Sequence, residues 1–180
     1  EIGIRQLVQQ GANAAHRITD NDKDLVQGVN DVGDSATALM LAVAHGHQSA
    51  ASTLIELSAE VDDAITSEAD GRYEYTALMI AACQGREAMA ELIVRAGASL
   101  NHPPSLGCAA IHGHAATTRI LLAAGASIPT LILHELVLCK AAKCIETLIL
   151  LIQAGADVNE LDKDGLTPLV AAAWNGSTEM

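Results

Sequence analysis

The chain has 180 residues, half of them apolar, with no Phe, one Trp and a net charge of −12. That length suits one domain, and the shortage of aromatic fillers leaves Leu, Ile, Val and above all Ala to build its core, a composition suited to thin helical layers lying close together. The acidic balance argues against nucleic acid as a partner, because phosphate binding needs a basic face.

The acidic residues concentrate in 20–34 and 56–74, whereas 101–156 is close to neutral. They read as solvated loops, with attraction to a basic partner surface as the sharper alternative. The cysteines at 83, 108, 139 and 144 fall inside predicted helices. That placement suggests small buried hydrophobes in a reducing compartment. Residue 1 is Glu and the first predicted helix stops at Gly11, so no signal peptide is expected. The apolar run Leu131 to Ile152 carries His134, Glu135, Lys140, Lys143 and Glu146, which argues against a membrane span.

In chain order, 1–13 carries Ile4, Leu7, Val8 and Gly11, which match only a second helix and its glycine stop. A fragment, a processed product or an otherwise incomplete chain is therefore expected. In the charged stretch that follows, Asp20, Asp22 and Asp24 alternate as calcium ligands can, but the later loop glycine and glutamate are missing. Thr37 to Asp62 reads as a helix–turn–helix unit, with Ser58 where a capping glycine is usual. Next comes a long connector, 63–75, holding Arg72, Tyr73 and Tyr75; such a finger is a natural contact element.

The clearest unit is 76–101. Leu78, Ala81 and Ala82 share one face of its first helix, and Ala88, Met89, Leu92 and Ile93 one face of its second. Gly85 makes the turn and Gly97 the stop. A third unit spans 102–129, and Pro129 prevents its continuation. The fourth, 130–159, is more divergent: His134-Glu135-Leu136-Val137 replaces the opening and Lys143 the turn glycine. Asp164-Gly165-Leu166-Thr167-Pro168-Leu169 opens a last unit with proline suited to the first helical turn.

These recurrences resemble the ankyrin repeat, with its Thr-Pro-Leu-His opening, Gly-His turn and Leu-Leu-x-x-Gly-Ala-x-x-Asn close. The resemblance covers nearly the whole chain: a half repeat at 1–15, an insertion at 16–33, repeats at about 34–62, 72–101, 102–129 and 130–159, and a half repeat at 160–180. It implies an all-α solenoid of stacked helix–turn–helix units with short β-hairpin fingers. It also implies a non-catalytic protein-interaction module, an adaptor or scaffold subunit binding through its concave face and fingers. The alternative is the ankyrin segment of a larger multidomain enzyme or membrane channel.

Counted from the Thr position of each repeat, the eighth residues are Ala44, Cys83, Ile111, Ala141 and Trp174, and the ninth His45, Gln84, His112, Ala142 and Asn175. In the family the eighth position points outward, so this row implies a mildly apolar groove for a partner's helix or extended segment. Trp174 is its expected anchor, the other reading being that it packs against a further layer. The expected contact residues are Ala44, His45, Arg72, Tyr73, Tyr75, Cys83, Gln84, Ile111, His112, Ala141, Trp174 and Asn175.

His47 and His114 match the family's turn histidine. Cys108 and His112 stand four apart and Cys139 lies near Cys144, but zinc would need these groups to converge, and the spacing fits no known finger. No nucleophile motif, phosphate loop or metalloprotease helix is present. Asn175-Gly176-Ser177 is a glycosylation triplet that coincides with the repeat turn. No metal, cofactor or catalytic residue is therefore expected. The implied partners are proteins, within a larger assembly or at the periphery of a membrane complex. The expected compartment is the cytoplasm, or an organelle if a targeting segment ahead of Glu1 is removed.

Overall fold

The computed structural model describes residues 2–9, 36–66, 74–101, 104–139 and 143–176. They form α1 (Ile2–Gln9), α2 (Ala38–His45), α3 (Gln48–Glu56), β1 (Ile65–Thr66), β2 (Glu74–Tyr75), α4 (Ala77–Cys83), α5 (Glu87–Arg95), α6 (Ser105–Ile111), α7 (Ala115–Ala123), α8 (Ile132–Cys139), α9 (Lys143–Gln153) and α10 (Pro168–Asn175). The chain divides into two compact units, Glu1–Ala81 with Ala88–Ser99 and Ala82–Glu87 with Leu100–Met180. The Asp20, Asp22 and Asp24 stretch lies outside the described residues.

Threonine starts three of the helices. The hydroxyls of Thr37, Thr76 and Thr167 accept the N–H groups of Met40, Met79 and Val170 at 3.2, 3.3 and 3.4 Å. Each satisfies one of the donors that a helix start leaves unpaired. Pro168 then supplies the fixed backbone angle of a first helical turn.

In the first unit, α2 packs on α3 and α3 on α1. Arg5 of α1 pairs with Glu56 of α3. The expected hairpin finger is present: β1 and β2 run antiparallel, with Ile65 opposite Tyr75 and Thr66 opposite Glu74. A side-chain bridge ties successive repeats, the Ser99 N–H donating to Asp62 Oδ1 at 2.8 Å. Leu78 and Ala81 of α4 are buried as expected. On α5 the buried face is Met89, Ala90 and Ile93, while Ala88 is exposed. The face is thus turned by one small residue, which an alanine-rich helix cannot signal through hydrophobicity alone.

After α3, Ser58 takes a left-handed φ of 64° in place of the usual glycine. A Cβ in that conformation costs about 1–2 kcal/mol, partly offset in a glycine variant by greater freedom of the unfolded chain. Ser58→Gly is therefore expected to stabilise the protein by roughly 1 kcal/mol. A urea titration that gave no increase would contradict this.

In the second unit, α6 packs on α7, α8 on α9, α6 on both α8 and α9, and α8 on α10. Leu106, Ala109, Ala110, Leu121, Leu136 and Leu151 are fully buried, within 1% of complete burial. The end of α6 is closed from α9. The Thr147 hydroxyl lies 3.0 Å from Ala110 O, and the Cys144 thiol donates to Ile111 O at 3.3 Å. These contacts satisfy carbonyls that have no acceptor role left inside α6. Asn101 Oδ1 accepts the Ser127 N–H at 2.8 Å, linking one repeat to the next.

The fourth repeat corrects the sequence register. Its first helix begins at Ile132, not at the expected His134 opening. Leu131 stands in the Thr position, with φ 60° and its N–H donating to Glu160 Oε2 at 2.8 Å. Leu131 has no hydroxyl to cap the His134 N–H, which donates to Leu131 O at 3.0 Å instead. The carboxylate of the following connector accepts the Leu131 N–H, a long-range contact that local spacing does not signal. His134 is consequently buried, and its Nε2–H donates to Leu166 O at 2.9 Å.

Before α10, Asp162 Oδ1 accepts the N–H groups of Leu166 and Asp164, both at 2.9 Å. The Leu166 bond, then the Asp164 bond and the charges of His134 and Lys163, hold its carboxyl below the usual value, with burial pulling the other way. A carboxyl lowered on folding stabilises the folded chain above the unfolded value of about 3.9, and this contribution is lost as pH falls through the lower folded value. Asp162→Asn is therefore expected to flatten the acid limb of stability below about pH 4. Identical acid limbs for variant and parent would contradict it.

Candidate functional site

The expected contact residues divide between the two units. In the first, His45 is exposed and its ring stacks on His47, with centroids 5.9 Å apart and 20° between planes. Ala44 is a correction: it is buried, 8% exposed. Its helix also buries Leu39, Met40, Ala42 and Val43, so α2 is apolar on nearly every side and leaves little outward surface. Tyr75 is half-buried in β2. Arg72, Tyr73 and Ala141 lie outside the described residues.

In the second unit, the corrected start of α8 makes Leu138 its eighth residue and Cys139 its ninth, replacing Ala141 and Ala142. Leu138 is 59% exposed and Trp174, its counterpart on α10, 84% exposed. Ile111, the counterpart on α6, is half-buried. Since α6 packs on α8 and α8 on α10, these three apolar side chains occupy one position on successive neighbouring helices. The ninth residues beside them include the exposed His112 and half-buried Asn175. Sequence reasoning missed Leu138 because repeat four lacks both its opening Thr and its turn glycine. The Leu133-His134 pair, which sets the opening three residues before the counted one, was the available signal.

The end of α4 joins the same unit. Gln84 is exposed, and its Oε1 accepts from Arg86 Nε at 2.6 Å. The His114 Nε2–H donates to Cys83 O at 2.9 Å, so this turn histidine has the structural role the resemblance implies. His112 lies parallel to it, centroids 6.0 Å apart and 6° between planes.

Two of the cysteines overturn the expectation of buried free thiols. Cys83 and Cys108 are half-exposed and joined by a disulfide with Cα atoms 5.1 Å apart. They sit on the first helices of adjacent repeats, 25 residues apart, a proximity created by stacking. His112 Nδ1 lies 3.7 Å from Cys108 Sγ and 2.9 Å from Cys108 O. Cys139 and Cys144 are free, with sulfurs 3.0 Å apart. Burial first, then the bond from Cys139, pushes the Cys144 thiol up to about 11, which keeps it protonated at neutral pH.

An apolar cleft of about 290 Å³ opens among α8, α9 and α10. Leu133, Val137, Leu148, Ile152 and Leu169 line it, with Asn159 and Thr167 as its polar groups. Leu161, Leu169 and Val170 are also exposed, at 60%, 77% and 45%. No helix among the described residues is long and apolar enough to cross a membrane.

Comparisons agree with this repeat geometry. A family model described as ankyrin repeats (3 copies) matches residues 4–104, and one described as ankyrin repeats (many copies) matches 133–180. Among solved structures, the chain is similar to an ankyrin repeat domain from Acinetobacter baumannii AYE. That similarity has a TM-score of 0.76 and 27% sequence identity, and covers 99% of this chain and 87% of the other. No curated protein matches the sequence.

Proposed function

The chain belongs to the ankyrin-repeat family, whose members are generally protein–protein interaction modules, and from that premise we propose that it is a non-catalytic adaptor or scaffold subunit that binds a partner's apolar segment along Ile111, Leu138 and Trp174. The observation that carries this reading is the exposure of Leu138 and Trp174, 59% and 84%, on neighbouring helices. Large apolar side chains aligned in this way are a surface that association can desolvate. The row contains no charged group, so binding there leaves no ion unpaired. A rigid row of side chains on helices also limits the ordering cost of binding. The matching partner is a helix or extended strand with apolar anchors. Basic residues beside those anchors would suit the connector from α9 to α10, which carries Asp157, Glu160, Asp162 and Asp164 against Lys163.

Trp174 is the sole tryptophan, so its emission reports on its own face. Peptides selected by display against the 180-residue chain are expected to shift that emission to shorter wavelength as they desolvate the ring. Trp174→Asp and Leu138→Asp are expected to weaken the selected peptides about 30-fold or more, the scale of a binding hot spot, without lowering Tm. Peptide binding that is indifferent to both substitutions would remove this surface from consideration.

A further inference from the structure

We propose that Cys83, Cys108 and His112 form a redox-gated site for a thiophilic divalent cation, closed as a disulfide when oxidised and able to hold zinc when reduced. The two sulfurs and an imidazole nitrogen lie within 4.8 Å of one another. Their chemistry is selective: two thiolates and one imidazole are ligands for zinc, and a water completes a four-coordinate shell. With Zn–S near 2.3 Å and Zn–N near 2.0–2.1 Å, a tetrahedral site needs edges of about 3.8 Å between sulfurs and about 3.6 Å from sulfur to nitrogen. The Cys108 Sγ to His112 Nδ1 separation is already 3.7 Å. Two edges remain: the sulfur–sulfur edge opens when the disulfide is cut, and the edge from Cys83 Sγ to the imidazole nitrogen adjusts with it, because each freed sulfur can swing by side-chain rotation.

Access is also suitable. Cys83 and Cys108 are half-exposed and His112 is exposed, so both a reductant and an aqueous cation can reach them. The ring now donates from Nδ1 to Cys108 O at 2.9 Å. Ligation shifts that proton to Nε2, which faces solvent hydrogen-bond partners on an exposed ring. The site depends on repeat stacking. Cys108 and His112 share one turn of α6 and its end, whereas Cys83 arrives from the preceding repeat.

The chemistry balances with a dithiol reductant. Its thiolate attacks one protein sulfur and the Cys83–Cys108 bond breaks. Its second thiol then displaces the mixed disulfide. Two electrons reduce the protein pair to two thiols, and the reductant leaves as its own disulfide. Zinc then binds two thiolates and the neutral imidazole, and two protons pass to solvent.

The test uses the 180-residue chain carrying Cys139→Ser and Cys144→Ser, which removes the other thiols while serine keeps a donor at both positions. The chain is reduced with dithiothreitol, desalted without oxygen and titrated with Co²⁺, whose thiolate charge-transfer absorption marks sulfur ligation. The expected result is one Co²⁺ per reduced chain, displaced by Zn²⁺, and none bound to the oxidised chain. Cys83→Ser, Cys108→Ser and His112→Ala should each weaken binding at least about tenfold. Native mass spectrometry with Zn²⁺ on the reduced chain with all four cysteines intact repeats the count independently of the serine background. Absence of thiolate–cobalt absorption and of a zinc adduct in the reduced chain would overturn the proposal. So would an affinity unchanged by Cys83→Ser.

Discussion

Leu106→Ala is expected to destabilise the protein by about 2–5 kcal/mol, the range for a fully buried leucine that leaves a cavity. Leu106 is 1% exposed and lies on α6, which α7, α8 and α9 all pack against. Close packing on three sides limits how far the site can collapse. Leu169 occupies the same place in its own repeat, two residues after the Thr position, yet is 77% exposed. Leu169→Ala is therefore expected to change stability by no more than about 0.5 kcal/mol. Paired urea titrations of these two variants measure what stacking contributes at one repeat position. Similar losses for both would mean that Leu169 is covered in solution.

Gly85→Ala is expected to cost about 3 kcal/mol, combining left-handed backbone strain of about 1–2 kcal/mol with steric overlap. Its φ is +66°, and a Cβ would stand 2.4 Å from His114 Nδ1 and 2.7 Å from two ring carbons. The ring cannot yield freely, because its Nε2–H is bound to Cys83 O. Gly155 is the control: its φ is +97°, but nothing lies within 4 Å of the added atom. Gly155→Ala should then cost only the backbone part, about 1–2 kcal/mol. Combining Gly85→Ala with His114→Ala should cost less than the two single changes together, since the second removes the ring that the first strikes. Equal costs at Gly85 and Gly155 would show that the ring moves aside.

These contrasts mark how far the chain can be read from its residues alone. The repeat class was legible because Thr76-Ala77-Leu78, Gly85 and Gly97 recur with the same spacing in other units, and a helix–turn–helix needs those residues locally. Threonine caps and the turn at Gly165 follow from backbone donors and φ values within a few residues of chain. His114 was legible for the same reason, as a side chain fixed by its place beside a turn. The candidate row was legible at Ile111 and Trp174, where Leu106 and Leu169 keep the place of the motif leucine and so fix the count.

Tertiary structure decided the rest. Leu131 takes the place of a threonine without a capping hydroxyl, its N–H held by Glu160 29 residues on, and the helix that follows it puts Leu138 in the row. Ala44 is buried and Trp174 exposed although both are eighth residues, since burial depends on what packs over a helix and not on its own period. Cys83 meets Cys108 and His112 only when adjacent repeats stack, so no spacing within one repeat announces the cluster. Local hydrogen bonding and helical period thus determine the unit, while packing between units determines which side chains are left for chemistry or for a partner.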